Sequence, residues 1–210
     1  GLKTILGVRP QDISFNSDQT EALFVGSDDD IYLTYLNEDK STVRITKNTN
    51  NELYSDPQFI FDDSKILFSQ RRHFSNNNIG TINIYTMDRD GKNVVQITDA
   101  EEEEKFIMPR MSSSGDKIIY YFKNNGIYEL NYPIEKRGSL VETQGGDSII
   151  PEISSYFRNI RWSPDGDKAI MWEKKFVSTY NLYLYQKNTE PKLRLFQSNA
   201  RYAQWNGNDE

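Results

Sequence analysis

Chemistry in this chain would have to start from a small set of reactive side chains. Its 210 residues include one histidine, His73, and no cysteine. A serine or cysteine nucleophile needs a positioned base, most often histidine. Neither a Gly-x-Ser-x-Gly elbow nor a Gly-x-x-x-x-Gly-Lys phosphate loop occurs. Zinc catalysis needs three protein ligands drawn mainly from His and Cys, which His73 cannot supply alone. Paired carboxylates stay open among the 31 acidic residues, yet none stands in a distinguishing context. The chain therefore reads as non-catalytic, with no cofactor or metal called for.

Binding is the remaining chemistry, and four stretches could carry it. Ser69 to Gly80 is a long polar insertion in which Arg71, Arg72, His73 and Phe74 join cationic donors to an aromatic anchor. Arg and aromatic residues are enriched at interface hot spots, so this is the leading contact loop, with a mobile exposed loop as the alternative. The cluster Asp28, Asp29 and Asp30 offers few of the six to eight oxygens calcium requires, so a solvated turn is expected there. The acidic run Asp99 to Lys105 reads as a solvated face, or as charge offered to a basic partner or cation. Asp88-Arg-Asp-Gly91 reads as a turn. A net charge of −6 argues against a nucleic-acid backbone as partner. No apolar run approaches the roughly 20 residues of a membrane span, and the first residues lack a signal pattern.

The elements that must position these residues repeat. In Asn159-Ile-Arg-Trp-Ser-Pro-Asp-Gly-Asp-Lys-Ala-Ile-Met171, Trp162 ends a short strand, Ser163 to Gly166 make a tight turn, and Lys168 to Trp172 return. Proline presets φ and glycine tolerates positive φ, which gives the turn its mechanical reason. Superposing this hairpin on the chain places Phe15, Phe59, Met111 and Trp205 at the position of Trp162, at intervals of 44, 52, 51 and 43. Each copy up to Trp162 continues with a nearly continuous apolar strand, as expected of one covered on both faces. A third element then begins around Tyr32, Tyr85, Tyr128 or Tyr183, and a fourth follows.

Four strands per unit at this period predicts an all-β fold, a β-propeller of four-stranded antiparallel blades. The blades are placed at about 12–46, 56–98, 108–143 and 159–196 within one domain, 1–210. Residues 1–10 are expected as the outer strand of a preceding blade and 201–210 as the inner strand of a following one. The residue before each anchor is polar: Ser14, Gln58, Arg110, Arg161 and Gln204. If the anchors pack between blades, strand alternation turns these toward the channel. Arg110 and Arg161 would there favour an acidic peptide or carboxylate; the alternative is hydrogen bonding to neighbouring blades.

The run Ile160-Arg-Trp-Ser-Pro-Asp-Gly166 and the pair Asn83-Ile-Tyr-Thr-Met-Asp-Arg-Asp-Gly91 and Gln96-Ile-Thr98 resemble the TolB-type propeller repeat, a WD-repeat-like blade. Phe15-Asn-Ser-Asp18 and Phe59-Ile-Phe-Asp62 depart from it, lacking both Trp and Pro-Asp-Gly. The resemblance covers residues 11–206 and implies a segment of a larger, six-bladed ring, its missing strands supplied by residues outside this chain or by another chain. It further implies a periplasmic or extracytoplasmic scaffold that binds a protein or peptide, such as an envelope lipoprotein, without membrane insertion. The alternative it carries is the substrate-gating propeller of a larger enzyme of the prolyl-oligopeptidase kind.

Overall fold

The computed structural model describes residues 13–37, 40–48, 52–71, 80–101, 104–122, 126–133, 139–140, 157–176, 179–189, 193–200 and 203–206. Among them sixteen strands form four four-stranded antiparallel sheets, each a simple meander in chain order. The first sheet is β1 (Ser14–Phe15), β2 (Glu21–Val25), β3 (Ile31–Tyr35) and β4 (Val43–Arg44). The second is β5 (Leu53–Ile60), β6 (Lys65–Arg71), β7 (Ile82–Asp88) and β8 (Val95–Gln96). The third is β9 (Phe106–Met111), β10 (Lys117–Phe122), β11 (Gly126–Asn131) and β12 (Ser139–Leu140). The fourth is β13 (Phe157–Trp162), β14 (Lys168–Phe176), β15 (Thr179–Gln186) and β16 (Leu193–Ala200). These are the propeller blades that the repeat predicts. The chain divides into two compact units, residues 1–109 and 110–210.

In the first unit the second strands explain the continuous apolar runs. All five residues of β2, Glu21 to Val25, are buried, as are Ile66 to Gln70 of β6. Leu23, Ile31, Leu33, Tyr54, Phe59, Ile66, Phe68, Tyr85 and Met87 form one core. Each such side chain taken from water contributes roughly 1.5–3 kcal/mol. Phe59 is an anchor within that core, whereas Phe15, expected in the same role, is 56% exposed. No sheet precedes β1 among the described residues, and none of them covers the outward face of Phe15.

In the second unit Met111, Ile118 to Tyr121, Ala169 to Trp172 and Tyr185 are buried. Trp162 packs edge-on to Tyr185, with ring centroids 5.5 Å apart. Residues 203–206, part of the expected inner strand at 201–210, make no strand among the described residues. The expected outer strand at 1–10 lies outside them.

The inner hairpins show why the turn position recurs. Ser163 donates its amide to the Lys168 carbonyl, and its Oγ accepts from the Lys168 amide at 3.0 Å. Ser112 does the same with Lys117, and Asn16 uses its Oδ1 on the amide of Glu21. Gly166 sits at φ +75°, and a Cβ there would come within 3.0 Å of the Ser114 amide nitrogen. The second hairpin has no such residues and no glycine. Phe61, Asp62 and Asp63 instead run at φ 51°, 51° and 64°, a left-handed stretch that costs about 1–2 kcal/mol per residue for side chains with a Cβ.

Candidate functional site

The inner strands hold two of the residues singled out by the sequence, and both sit in one unit. Arg110, on β9, is half-buried, and its carbonyl accepts the Trp162 indole N–H at 3.0 Å. Arg161, on β13, is exposed, and its carbonyl accepts the Trp205 indole N–H at the same distance. Each tryptophan is thus pinned to the residue that precedes the previous anchor. The Arg161 guanidinium lies over the Trp172 ring, 5.8 Å from its centroid. Its N–H groups meet no hydrogen-bond acceptor among the described residues. Arg71 ends β6 half-buried, its Nε enclosed without a hydrogen-bond partner. Arg72, His73 and Phe74 lie outside the described residues.

The inner strands share an irregularity three residues before the anchor. The β5–β6 register slips between Ser55 and Gln58, and the β13–β14 register between Arg158 and Arg161. Asp56 and Met108, each followed by proline, take φ 56° and 53°. A bulge bends the strand and re-aims the side chains beyond it. Within the first unit, the Asp56 carboxylate accepts the Met108 amide at 3.2 Å, tying one bulge to the next.

Between successive blades the structure adds a joint that the sequence reading passed over. Arg89, in the turn Asp88 to Gly91, forms a short ion pair with Glu21 of β2 and lies 5.7 Å from the Phe59 ring centroid. In the second unit, Lys187 pairs with Asp116 at 2.8 Å, donates to the Ser114 hydroxyl at 2.9 Å and lies 5.4 Å from the Trp162 ring centroid. Arg89 and Lys187 each stand four residues after a repeat tyrosine, Tyr85 or Tyr183. Each cation therefore covers the anchor of its own blade and grips an acid of the preceding one. Burial pushes the Asp116 carboxyl up, but hydrogen bonds from Lys187, Ser114 and Ser112 outweigh it and hold the group well below the usual carboxylate range.

Two buried networks complete the frame. Thr46 Oγ1 accepts the Ile31 amide and donates to Asp30; Thr98 Oγ1 accepts the Ile84 amide and donates to Asn83. This is the physical content of the Ile-Thr signature: a hydroxyl that fastens the fourth strand to the start of the third. Asp30 is fully buried, accepting from Arg44, Thr46 and the Asn48 amide, so the solvated turn expected over Asp28 to Asp30 fails at that residue. The acidic run is likewise not wholly solvated. Lys105 is buried and bridges to Ile82, while the Glu104 carbonyl accepts the Ile82 amide. In the second unit the Tyr185 hydroxyl donates to buried Glu129. Tyr183 donates to Glu173 at 3.1 Å, and burial with that carboxylate pushes its hydroxyl up to about 12.

No family model matches the chain. A stretch of 102 residues is 26% identical to an uncharacterized protein of Agrobacterium fabrum, covering 46% of this chain and 33% of that protein. The TolB structure from Acinetobacter baumannii superposes with a TM-score of 0.59 at 21% identity, covering 85% of this chain and 41% of TolB. A prolyl endopeptidase superposes at 0.58 with 13% identity, covering 93% of this chain and 30% of that enzyme. The chain thus spans 30–41% of the length of these three proteins. Its fold is that of a TolB-like β-propeller.

Proposed function

We propose that this chain is a non-catalytic binding scaffold that presents its inner strands to an acidic protein or peptide. The observation that carries the reading is Arg161. An exposed guanidinium resting on the Trp172 face keeps its planar array of donors open at the ring edge, and such a fork fits a carboxylate with two parallel hydrogen bonds. Its backbone is held on both sides, by the indole bond to its carbonyl and by the bulge before it, so little ordering cost attends binding. Arg110 holds the equivalent place on β9 and supplies a second cation to the same partner. Arg71, at the mouth of the insertion that continues into Arg72, His73 and Phe74, gives the contact loop its start. The protein class suits an envelope scaffold that meets a lipoprotein outside the cytoplasm, as the likeness to TolB suggests; no helix among the described residues is long and apolar enough to cross a membrane.

Capture from an envelope extract, followed by titration of the captured protein, tests this reading. Arg161→Ala together with Arg110→Ala should weaken binding about a hundredfold, two charge-assisted contacts each contributing about tenfold. Unchanged affinity in the folded double variant would refute it. The fit to a prolyl endopeptidase over 93% of the chain favours a second reading, the gating propeller of a larger peptidase. An α/β-hydrolase segment with its own nucleophile elbow in the same reading frame would decide for it.

A further inference from the structure

A cleft of about 280 Å³ opens in the first unit where the outer part of the first blade meets the second. Ile45, Thr46 and Lys47 form one wall, and Tyr54, Phe68, Gln70 and Met87 lie across from them, with Gly91 and Val94 at one side and Glu52 in the lining. The width is fixed by backbone packing: Gly91 stands at φ +84°, and a Cβ there would come within 2.5 Å of the Ile45 carbonyl oxygen. Tyr54 and Phe68 contribute tilted rings 5.8 Å apart. The volume falls just under the roughly 300–1,000 Å³ of small-ligand pockets, and the exposed lining is more polar than apolar, as suits a ligand with a charged group.

Two of the polar groups are uncommitted. Gln70 is only 5% exposed, yet its amide has no hydrogen-bond partner among the described residues. Only Arg71 Nε is both enclosed and unpartnered among the described residues, so the Gln70 amide is reached through the cleft and is free to meet a ligand atom there. Lys47 lines the same cleft with no ion-pair partner among the described residues. The other polar groups are occupied. Thr46 serves Asp30 and the Ile31 amide, and Glu52 Oε2 accepts the Tyr54 hydroxyl at 3.0 Å.

We propose that this cleft binds a compact organic carboxylate, its acid group taken by Lys47 and the Gln70 amide and its apolar body laid on Tyr54 and Phe68. The site does not depend on the protein-binding reading above. The same chemistry belongs to a free aromatic acid and to the C-terminus of a peptide, and the probes separate them. Phenylacetate, phenylacetamide and Gly-Gly-Phe with a free or an amidated end are titrated into the whole chain and followed by amide and side-chain amide NMR shifts. Shifts at Gln70, Lys47 and Gly91 are expected for the acids, with affinity about tenfold lower for the neutral amides and in Lys47→Ala and Gln70→Leu. Phenylacetate binding marks a free acid as the ligand class, and binding of the free peptide alone marks a chain terminus. Equal binding of the amides, or shifts that both variants leave untouched, overturns the proposal. Lys47→Ala is a surface change and keeps the test valid should Gln70→Leu not fold.

Discussion

The joint of the first unit and the joint of the second use the same position for different physics. Arg89 and Lys187 both stand four residues after a repeat tyrosine, both cover their blade's anchor, and both reach an acid on the blade before. In the first unit the anchor is Phe59, which offers no polar atom, so the polar contact at the anchor is the charge pair, beside the Ser17–Asp63 hydrogen bonds and the Tyr54–Asp29 backbone bond that also join the two blades. The Glu21 side chain there is 11% exposed. In the second unit the anchor is Trp162, whose indole already clips the Arg110 carbonyl. Its acid, Asp116, is 58% exposed while the Lys187 side chain is 8% exposed, so here the cation is the enclosed partner and solvent screens the pair from the acid's side. Where the anchor carries its own hydrogen bond, the cation is secondary; where it does not, the cation supplies the polar contact at the anchor.

This contrast breaks first at the tryptophan. Trp162→Ala should cost about 3 kcal/mol, as expected for deletion of a large aromatic side chain from a packed seam, and Trp162→Phe about 1 kcal/mol for the lost indole bond. A Trp162→Phe variant as stable as the parent in urea unfolding would mean that the clip to Arg110 contributes nothing. Next comes the first unit's charge pair. Arg89→Met leaves Glu21 largely enclosed and unpaired, and should cost about 2 kcal/mol in the same assay.

A smaller effect of opposite sign tests the turns. Asp62→Gly relieves one residue of the left-handed run that replaces a Pro-Asp-Gly turn, and should raise stability by about 1 kcal/mol. The smallest is Lys187→Met, expected at about 0.5 kcal/mol or less because its acid is exposed. Its signature is pH rather than size. The Asp116 carboxyl is held below its ordinary value, so its contribution is present above about pH 4 and lost as acid titrates the folded group. Lys187→Met should therefore lose that small contribution at neutral pH, and the gap between variant and parent should close as pH falls below about 4.

The fold was legible because its signals are local. Ser163-Pro-Asp-Gly166 predicts its own hairpin, and the pair Ile84-Tyr85 and Ile97-Thr98 marks two strands that one hydroxyl fastens together. The joints were not legible, because Arg89 meets Glu21 across 68 residues and a turn residue carries no mark of so distant a partner. Aligning the copies on their tyrosines would have exposed a cation at one position in the second and fourth blades. Asp30 was misread for the related reason that a run of three carboxylates looks solvated until Arg44, Thr46 and Asn48 converge on one of them. Gln70 carried no sequence signal at all, since an unpartnered amide is a fact of packing.

The most direct test of the contrast between the two joints is a pair of double-mutant cycles, Arg89→Met with Glu21→Gln and Lys187→Met with Asp116→Asn, each read by urea unfolding at low and high salt. The account predicts a coupling of about 2 kcal/mol in the first that salt barely changes, and below about 0.5 kcal/mol in the second, vanishing in salt. Couplings of equal size, or a first coupling that salt erases, would contradict it.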